Sequence, residues 1–379
     1  MSAKKDAEAR LRAASWLNDP RTRRLFALLP RTRAVGGVVR DTILGRQREN
    51  SEIDFATELL PAEVTQRAEA VGMTAHPTGI EHGTVTLSLD GLIAEVTTLR
   101  EDIATDGRRA VVRFGTDWTA DASRRDFTLN ALYASAAGEL LDPLDGLADA
   151  LSGRVRFIGN ADQRIAEDRL RVYRFYRFSA SHGGQQLDPE GLAAVSRAAG
   201  DLGNLSPERV GAEMKRILSL SKVAVTLKAM SAAGILPLQT ATLAALEAYE
   251  SRAVPPTLAG RLALLAQAME IREVWRLSNE EVKAAHAVSA AEALLREGKA
   301  NEAAYRYHAA LRDAQSLLPQ PVPAPAMVPA LPITGRDLAQ HGYAQGPALG
   351  RELQRLEQLW IDGGFTLSRE ALLAAIRPA

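Results

Sequence analysis

The sequence predicts an α+β protein in which a small head of strands and helices precedes a long all-helical region. The first third of the chain alternates strand-like runs with helical patterns. Beyond about residue 150, strand signals almost vanish, and Ala, Leu, Arg and Glu recur at helical spacing between Gly and Pro breaks. We therefore expect three parts: a head over 1–135, a helical neck over 136–220, and a helical body and tail over 221–379.

Local signals predict the elements of the head. Asp90-Gly91 lies between two apolar-rich runs and favours the tight primed turn of a hairpin. Pro61 suits the first turn of a helix. Further along the chain, residues 319–332 contain six prolines, which predicts a stiff connector. The predicted elements of the head are a helix over 11–29 ended by Pro30, a strand over 33–36, a helix over 38–44, a strand over 51–57, a helix from Pro61 to near Gly72, a hairpin over 84–99 and a helix over 123–134.

Composition and charge exclude several kinds of site. The chain has no cysteine, which excludes disulfides and thiolate metal ligands. No apolar run reaches the length of a membrane span, and the N-terminus lacks the apolar core of a secretory signal, so we expect a cytoplasmic protein without a membrane partner. The formal net charge is zero, but residues 1–48 hold twelve Lys or Arg against four Asp or Glu, which predicts a local basic surface.

Two adjacent glycines predict a phosphate-binding turn. Gly36 and Gly37 lie between a predicted strand and a predicted helix, where backbone N–H groups can approach a phosphate and the helix N-terminus adds a favourable field. Arg40, one turn into that helix, could clamp a phosphate. By itself, a Gly-Gly pair is more often only a turn.

A pair of carboxylates follows on the next predicted strand. Glu52 and Asp54 are two residues apart, so a strand would direct both side chains to one face. Paired carboxylates beside a phosphate site suit Mg²⁺, and two such ions can activate an attacking hydroxyl and stabilise a leaving pyrophosphate. By itself this pattern is more often a solvated strand face, but its order and spacing after the glycines favour the metal site.

These motifs together resemble a known family. The order GG-x-x-R-D, acid-x-Asp and then RRDFTLNAL over 124–132 resembles the bacterial class II branch of the tRNA nucleotidyltransferase and poly(A) polymerase superfamily. The resemblance implies a head with the polymerase-β-type nucleotidyltransferase fold. It also implies that Glu52 and Asp54 bind the catalytic Mg²⁺ ions, although the family usually has Asp at the first of these positions. Glu95, on a later strand, is a candidate third carboxylate or an edge charge that faces solvent.

The same resemblance assigns residues to the sugar, the phosphates and the base. It implies that Arg125 holds the triphosphate and that Asp126 accepts a hydrogen bond from the ribose 2′-OH. Over 166–178, acidic and basic residues recur every three positions and match the family's EDxxR motif, in which the Asp and Arg select the base. The residues of this series are Asp168, Arg171, Arg174 and Arg177.

On one helix, Asp168 and Arg171 would be neighbours. CTP and ATP both present an amino donor beside a ring-nitrogen acceptor, so a carboxylate can accept from the first and a guanidinium can donate to the second. UTP and GTP present the reverse pattern and would leave buried groups poorly paired. Arg174 and Arg177 would contact the triphosphate or the base edge. The alternative is a helix with ordinary ion pairs and aromatics packed inward.

The resemblance implies a function in tRNA processing: addition of CMP and AMP, from CTP and ATP, to the 3′ end of tRNA. Residues 100–109 resemble the flexible loop that CCA-adding and A-adding members need. A bacterial poly(A) polymerase is less favoured, because those enzymes usually have a longer, strongly basic C-terminal region. An enzyme that adds only A stays open, and a non-catalytic RNA- or nucleotide-binding module is the alternative from another class. The choice between a monomer and a homodimer also stays open.

Overall fold

The computed structural model describes residues 2–46, 52–79, 83–106, 109–252 and 254–378. Its internal contacts divide the chain into two compact units, Met1–Glu213 with Ala229–Leu236 and Met214–Lys228 with Pro237–Ala379. The first unit contains a mixed sheet with helices, and the second is built of helices, so the predicted α+β class is confirmed. Over the described ranges, no helix is long and apolar enough to cross a membrane.

The sheet of the first unit contains one pairing that matters for the site. Its order is β3-β4-β5-β2-β1-β8-β9, and β6 pairs with β7 in a separate hairpin. Here the strands are β1 Thr32–Val35, β2 Ile53–Thr57, β3 Thr74–Gly79, β4 Thr84–Leu89, β5 Leu92–Thr98, β6 Arg100–Asp106, β7 Arg109–Phe114, β8 Tyr133–Ala134 and β9 Leu140–Leu141. The β2 and β5 strands run parallel, whereas the other neighbours in the sheet run antiparallel. Parallel pairing places residues of β2 and β5 side by side.

Helices make up most of the other described elements of the chain. In chain order they are α1 Ser2–Ala13, α2 Ser15–Asn18, α3 Pro20–Leu28, α4 Gly37–Ile43, α5 Pro61–Glu69, α6 Trp118–Ser123, α7 Gly146–Ser152, α8 Ala161–Glu167, α9 Arg171–Ser181, α10 Pro189–Ala198, α11 Pro207–Leu218 and α12 Ala224–Ala232. They continue with α13 Thr240–Glu250, α14 Leu258–Ala266, α15 Ile271–Trp275, α16 Asn279–Arg296, α17 Ala300–Arg306, α18 Leu311–Leu317, α19 Gly335–Gln340, α20 Pro347–Asp362 and α21 Arg369–Ala374.

The single helix predicted over 11–29 is wrong, because the chain forms three helices there. The α1 helix ends at Ala13, and Asp19-Pro20 separates α2 from α3. The Asp19 carboxylate accepts a hydrogen bond from the backbone N–H of Arg21 at 2.8 Å, and Pro20 occupies the first turn of α3. A capping carboxylate followed by proline starts a new helix rather than continuing an old one.

The helix predicted over 123–134 is also wrong. Phe127 is extended, with φ −127° and ψ 145°, and pairs with Phe157 in an isolated bridge. A 3₁₀ turn over Thr128–Asn130 follows, and Tyr133 then enters β8 against β1. Phe127 and Tyr133 are completely buried. Their burial in the core and the sheet pairing of β8 outweigh the local helical spacing.

The hairpin predicted around Asp90-Gly91 is confirmed. The β4 and β5 strands pair in a continuous antiparallel register. Asp90 has φ +47° and Gly91 has φ +80°, which is the pair of left-handed conformations that a type I′ turn requires. Residues 319–332 form neither helix nor strand, as predicted for a proline-rich connector or an ordered crossing segment.

The segment that resembles a flexible loop forms a second hairpin. The β6 and β7 strands pair antiparallel from Arg100 opposite Phe114 to Asp106 opposite Arg109. Its tip, Gly107-Arg108, lies outside the described residues.

A buried ion pair fastens the start of the second unit. Arg261 is 1% exposed and pairs with Glu250 of α13 at 2.7 Å. The Arg261 guanidinium also donates to the carbonyls of Leu218, Leu220 and Ser221 at 2.5, 2.6 and 2.9 Å. The Glu250 carboxylate accepts from the N–H groups of Val223 and Ala224 at 3.0 and 3.1 Å. The pair therefore satisfies backbone groups at the end of α11 and the beginning of α12.

We expect Glu250→Gln to lower the free energy of unfolding by about 3 kcal/mol, because Arg261 would keep a buried charge without its counter-ion. Urea unfolding followed by circular dichroism measures this change. Glu247→Gln on the same helix is the matched control: its ion pair with Lys228 spans 3.9 Å and is exposed, so its loss should cost less than about 0.5 kcal/mol. Equal stability of the two variants would contradict the stabilising role of the buried Arg261–Glu250 pair.

Candidate active site

Carboxylates meet on one face of the sheet where β2 and β5 run parallel. Asp54 lies beside Glu95 in this register, and both residues are at exposed positions of their strands. Glu52 lies immediately before β2, and exposure alternates from Glu52 through buried Ile53 to Asp54, as expected for two side chains on one face. Loss of hydration and the charges of Glu95 and Glu52 raise the pKa of Asp54 to about 6, and Arg125 opposes this shift. The three carboxylates are thus within electrostatic reach of one another.

This carboxylate group fits a divalent cation. Carboxylates that hinder one another's ionisation create a negative field that a cation relieves. Over the described ranges, no three His, Cys, Asp or Glu side chains converge closely enough to hold a metal ion by themselves. Mg²⁺ needs no such cage, because it commonly takes one or two carboxylates and completes its shell with water and substrate phosphates. Asp54 and Glu95 fit an ion bound in that way.

The Gly-Gly turn lies at the same site as Asp54. Gly36 has φ +74° and ψ −126°, a conformation that glycine adopts far more easily than other residues, and Gly37 begins α4. Arg40 of α4 is buried and donates a hydrogen bond to Oδ1 of Asn130. Its guanidinium lies over the ring of Phe178, 5.1 Å from the centroid. Arg40 is therefore fixed in the wall of the site.

A cavity of about 450 Å³ opens beside these elements in the first unit. All the predicted nucleotide-binding residues line it together with Asp54, whereas Glu52 and Glu95 are not among its lining residues. Within the described part of the chain, six arginines and three aspartates form its walls, and this excess of positive charge suits a polyphosphate. The lining residues are Gly36, Gly37, Arg40, Asp54, Arg124, Arg125, Asp126, Asn130, Asp168, Arg171, Arg174, Arg177 and Phe178.

Asp126 is buried, and both of its carboxylate oxygens are engaged. Oδ1 accepts from the Phe127 N–H at 2.9 Å and from the Asn130 amide at 3.1 Å. Oδ2 accepts from Arg174, whose Nε is 2.7 Å away and whose terminal nitrogen is 2.5 Å away. Burial would raise the pKa of Asp126, but Arg174 and Asn130 outweigh burial and lower it. An ionised Asp126 therefore anchors Arg174 at the cavity.

Asp168 and Arg171 line the cavity but do not share one helix, so that prediction is wrong. The α8 helix ends at Glu167, Asp168 has φ −149° and ψ 102°, and α9 begins at Arg171. The Asp168 carboxylate accepts a hydrogen bond from the Leu170 N–H at 3.1 Å. Such a local bond between an aspartate and the backbone competes with helix continuation.

The two residues also have separate partners. Asp168 pairs with Arg209 at 2.8 Å. Arg171 pairs with Glu167 at 2.8 Å and donates to the carbonyl of Arg124 at 3.0 Å. Both side chains thus face the cavity from positions that other residues hold in place.

Phe178 packs against three of the arginines. The guanidinium carbons of Arg40, Arg174 and Arg177 lie 5.1, 5.4 and 4.2 Å from the centre of its ring. Glu213 of α11 is buried, pairs with Arg177 at 2.6 Å and lies 3.8 Å from Arg174. Cation–π attraction and a buried carboxylate together offset the repulsion among these cations.

Sequence reasoning missed the residues that hold the arginines. These are Asp121, Asn130, Phe178 and Glu213. One signal was available for Asp121, because it precedes Arg124 by three residues and Arg125 by four, the spacing of helical ion pairs. Asn130 stands inside the quoted RRDFTLNAL motif, but only the structure shows it between Arg40 and Asp126.

Comparison with protein families identifies two matching regions. The family model described as the poly A polymerase head domain matches residues 32–156. The model described as the probable RNA and SrmB- binding site of polymerase A matches residues 184–238.

Relatives of known name match most of the chain. The mitochondrial CCA tRNA nucleotidyltransferase 1 of Mus musculus is 31% identical, with 91% of this chain and 86% of that protein covered. The CCA-adding enzyme of Levilactobacillus brevis is 32% identical, covering 90% of this chain and 92% of that protein. Among solved structures, the Bacillus stearothermophilus CCA-adding enzyme in complex with CTP aligns with a TM-score of 0.74 and 27% identity, over 91% of this chain and 92% of that one.

We expect Asp54→Asn to raise the melting temperature of the metal-free protein at about pH 7.5. A carboxyl whose pKa is raised to about 6 binds its proton more tightly in the folded state than in the unfolded state, where the value is 3.8. Folding therefore loses stability as pH rises through this window. The amide removes that loss, which is on the order of 1 kcal/mol after solvent screening.

Differential scanning fluorimetry in EDTA, at about pH 5 and about pH 7.5, tests this expectation, and the gain should be larger at the higher pH. Asp90→Asn, in the hairpin turn, is the matched control and should leave the melting temperature unchanged. A variant at Asp54 that melts no higher than wild type at the higher pH would count against the electrostatic account of the site.

Proposed function

The chain belongs to the family of CCA-adding tRNA nucleotidyltransferases, and we propose that the arginine-lined cavity beside Asp54 is its active site. The protein adds CMP and AMP, from CTP and ATP, to the 3′ end of tRNA. One observation supports this site most directly: the arginines of the cavity converge next to Asp54 and its neighbour Glu95. Nucleotidyl transfer needs this combination, a held triphosphate beside carboxylates that bind a metal ion.

We propose that Asp54 binds the metal ion together with Glu95 or Glu52, and that water and substrate phosphates complete its coordination. Magnesium bound there would activate the tRNA 3′-OH and neutralise charge on the leaving pyrophosphate. Asp54 has the central position, because both other carboxylates act on its ionisation. Glu52 precedes the strand and is exposed, and its longer side chain would have to turn toward Asp54 to contact the same ion.

We assign the triphosphate to Arg125, Arg174 and Arg177. A guanidinium group can donate two parallel hydrogen bonds to a phosphate, and it stays charged at any physiological pH. Buried carboxylates already hold Arg125 and Arg177 at the cavity. These side chains therefore lose less conformational entropy on binding than free side chains would, and this preorganisation increases the affinity for the nucleotide.

We propose that Asp126 binds the ribose 2′-OH and that it exchanges one hydrogen-bond donor, Arg174, for this hydroxyl. Its Oδ2 accepts two hydrogen bonds from Arg174 in this structure. When Arg174 turns toward a phosphate, Oδ2 becomes available to a hydroxyl donor. Ribose recognition and triphosphate binding are then linked through one side chain.

We assign base selection to Asp168 and Arg171. The Asp168 carboxylate would accept from the exocyclic amino group of cytosine or adenine, and Arg171 would donate to the adjacent ring nitrogen. Arg209 and Glu167 hold the two side chains at the cavity. The selection then depends on two positioned side chains rather than on a nucleic-acid template.

We place the remaining functions along the chain as the sequence predicts. Residues 1–135 form the catalytic head, 136–220 the neck that selects the nucleotide, and 221–379 the body and tail that bind tRNA. The match of residues 184–238 to a probable RNA-binding region supports RNA contacts beyond the head. A cytoplasmic location stays a prediction, as does the choice between monomer and homodimer.

Extension of a tRNA that lacks its last three nucleotides tests the function directly. We expect two added C residues with CTP alone, a complete CCA end with CTP and ATP, and no product from Asp54→Ala with an unchanged circular dichroism spectrum. A long A tract with ATP alone would identify a poly(A) polymerase, and extension only of tRNA ending in CC would identify an A-adding enzyme. Nucleotide binding without any extension would identify a non-catalytic module.

We expect Arg171→Ala to lower the preference for CTP over UTP by at least about tenfold. Without the guanidinium group, the ring N–H of uracil would no longer lie against a second donor. The ratio of kcat/KM values for the two nucleotides measures the effect. Arg169→Ala is the matched control, since Arg169 lies two residues away and pairs with Asp201 outside the cavity. An unchanged CTP/UTP ratio in Arg171→Ala would contradict base reading by this side chain.

A further inference from the structure

A buried carboxylate behind the cavity wall is shared by both arginines of the RRD motif. Asp121 of α6 is 1% exposed. Its Oδ1 accepts from Arg124 at 2.7 Å, and its Oδ2 accepts from Arg125 at 3.1 Å. Asp121 therefore provides negative charge to two cations that line the site.

Tyr133 completes the contacts of Arg125. The Tyr133 hydroxyl donates to Oδ2 of Asp121 at 2.9 Å and accepts from Nε of Arg125 at 3.1 Å. The Arg125 guanidinium also lies over the Tyr133 ring, 5.3 Å from its centre. One phenol thus fixes Arg125 in two ways, through its oxygen and through its ring.

The sheet and the core hold the phenol rigidly. Tyr133 is fully buried in β8, opposite Val35 of β1. Its ring packs edge-to-face against Trp118, with centroids 5.4 Å apart. Because the backbone of Val35 leads directly into Gly36, the element that carries the phosphate turn also supports the partner of Arg125.

We propose that Tyr133 is a positioning residue whose hydroxyl, bound to Asp121, sets the orientation of Arg125 and thereby the affinity for the nucleoside triphosphate. The inference rests on the proposed function, in which Arg125 contacts the triphosphate. Arginine has a long and flexible side chain, so a fixed Nε determines where its two terminal nitrogens point. Without the hydroxyl, Nε of Arg125 loses its shorter hydrogen bond and retains the longer one to Oδ2 of Asp121 at 3.3 Å, and Oδ2 loses a buried donor.

Tyr133→Phe isolates the hydroxyl, because it keeps the ring and its packing. In transfer to tRNA we expect KM for CTP to rise about tenfold, the effect of losing a hydrogen bond to a charged group. KM for tRNA should stay within about twofold, since the change lies behind the triphosphate. In an Arg125→Met background the same substitution should leave KM for CTP unchanged, because the residue that Tyr133 positions is gone.

Tyr176→Phe is the matched control. Tyr176 is also completely buried in the first unit, and its hydroxyl has no hydrogen-bond partner among the described residues. This variant should retain the wild-type KM for CTP.

Each departure from this pattern has a distinct meaning. A Tyr133→Phe enzyme that behaves like Tyr176→Phe overturns the inference while Arg125 keeps its proposed role. A rise in KM that is equally large in the Arg125→Met background also overturns it, because the effect would then be one of packing. A Tyr133→Phe protein that does not fold also overturns the inference. The inference assigns core packing to the ring, which this substitution keeps, and only the position of Arg125 to the hydroxyl. An Arg125→Met enzyme with normal KM for CTP contradicts the proposed triphosphate contact itself.

Discussion

The mutual repulsion of the arginines at one cavity is the constraint on which the rest of this site depends. Within the described chain, six guanidinium groups line the same space. Two like charges about 5 Å apart at an effective dielectric constant near 20 repel by roughly 3 kcal/mol. The cluster is stable because buried carboxylates lie behind it, namely Asp121, Asp126 and Glu213. Anions in the wall and cations at the surface of the cavity leave a preformed site for a polyanion.

The fold separates this positive wall from the carboxylates that face it. Asp54 and Glu95 come from neighbouring parallel strands, whereas the arginines come from the segment after α6 and from α4 and α9. Burial and the neighbouring carboxylates raise the pKa of Asp54, and Arg125 opposes them. Positive and negative side chains therefore lie side by side at Asp54. A triphosphate with its metal ion needs both, because arginines bind the phosphates and carboxylates bind the metal ion. Holding like charges together lowers the stability of the protein, which is common at functional sites.

The sequence was sufficient to predict most of the residues that line the cavity but not Asn130 and Phe178, nor how the arginines are held. Motif spacing predicted the glycine turn, the carboxylate pair and the arginine series, because these features lie within a few residues of one another. It failed at the 123–134 segment and at Asp168, where long-range pairing and a local aspartate–backbone bond interrupt helical patterns. Glu213 was missed for a related reason: it lies far along the chain from Arg174 and Arg177, and only tertiary packing brings them together.

The most direct test is a crystal structure of the protein with CTP and Mg²⁺ in the absence of tRNA, so that no acceptor hydroxyl is present. The account predicts that the triphosphate lies among Arg125, Arg174 and Arg177 next to Asp54, with the cytosine amino group at Asp168 and its ring nitrogen at Arg171. A nucleotide bound outside this cavity, or one whose base lies away from Asp168 and Arg171, would contradict it.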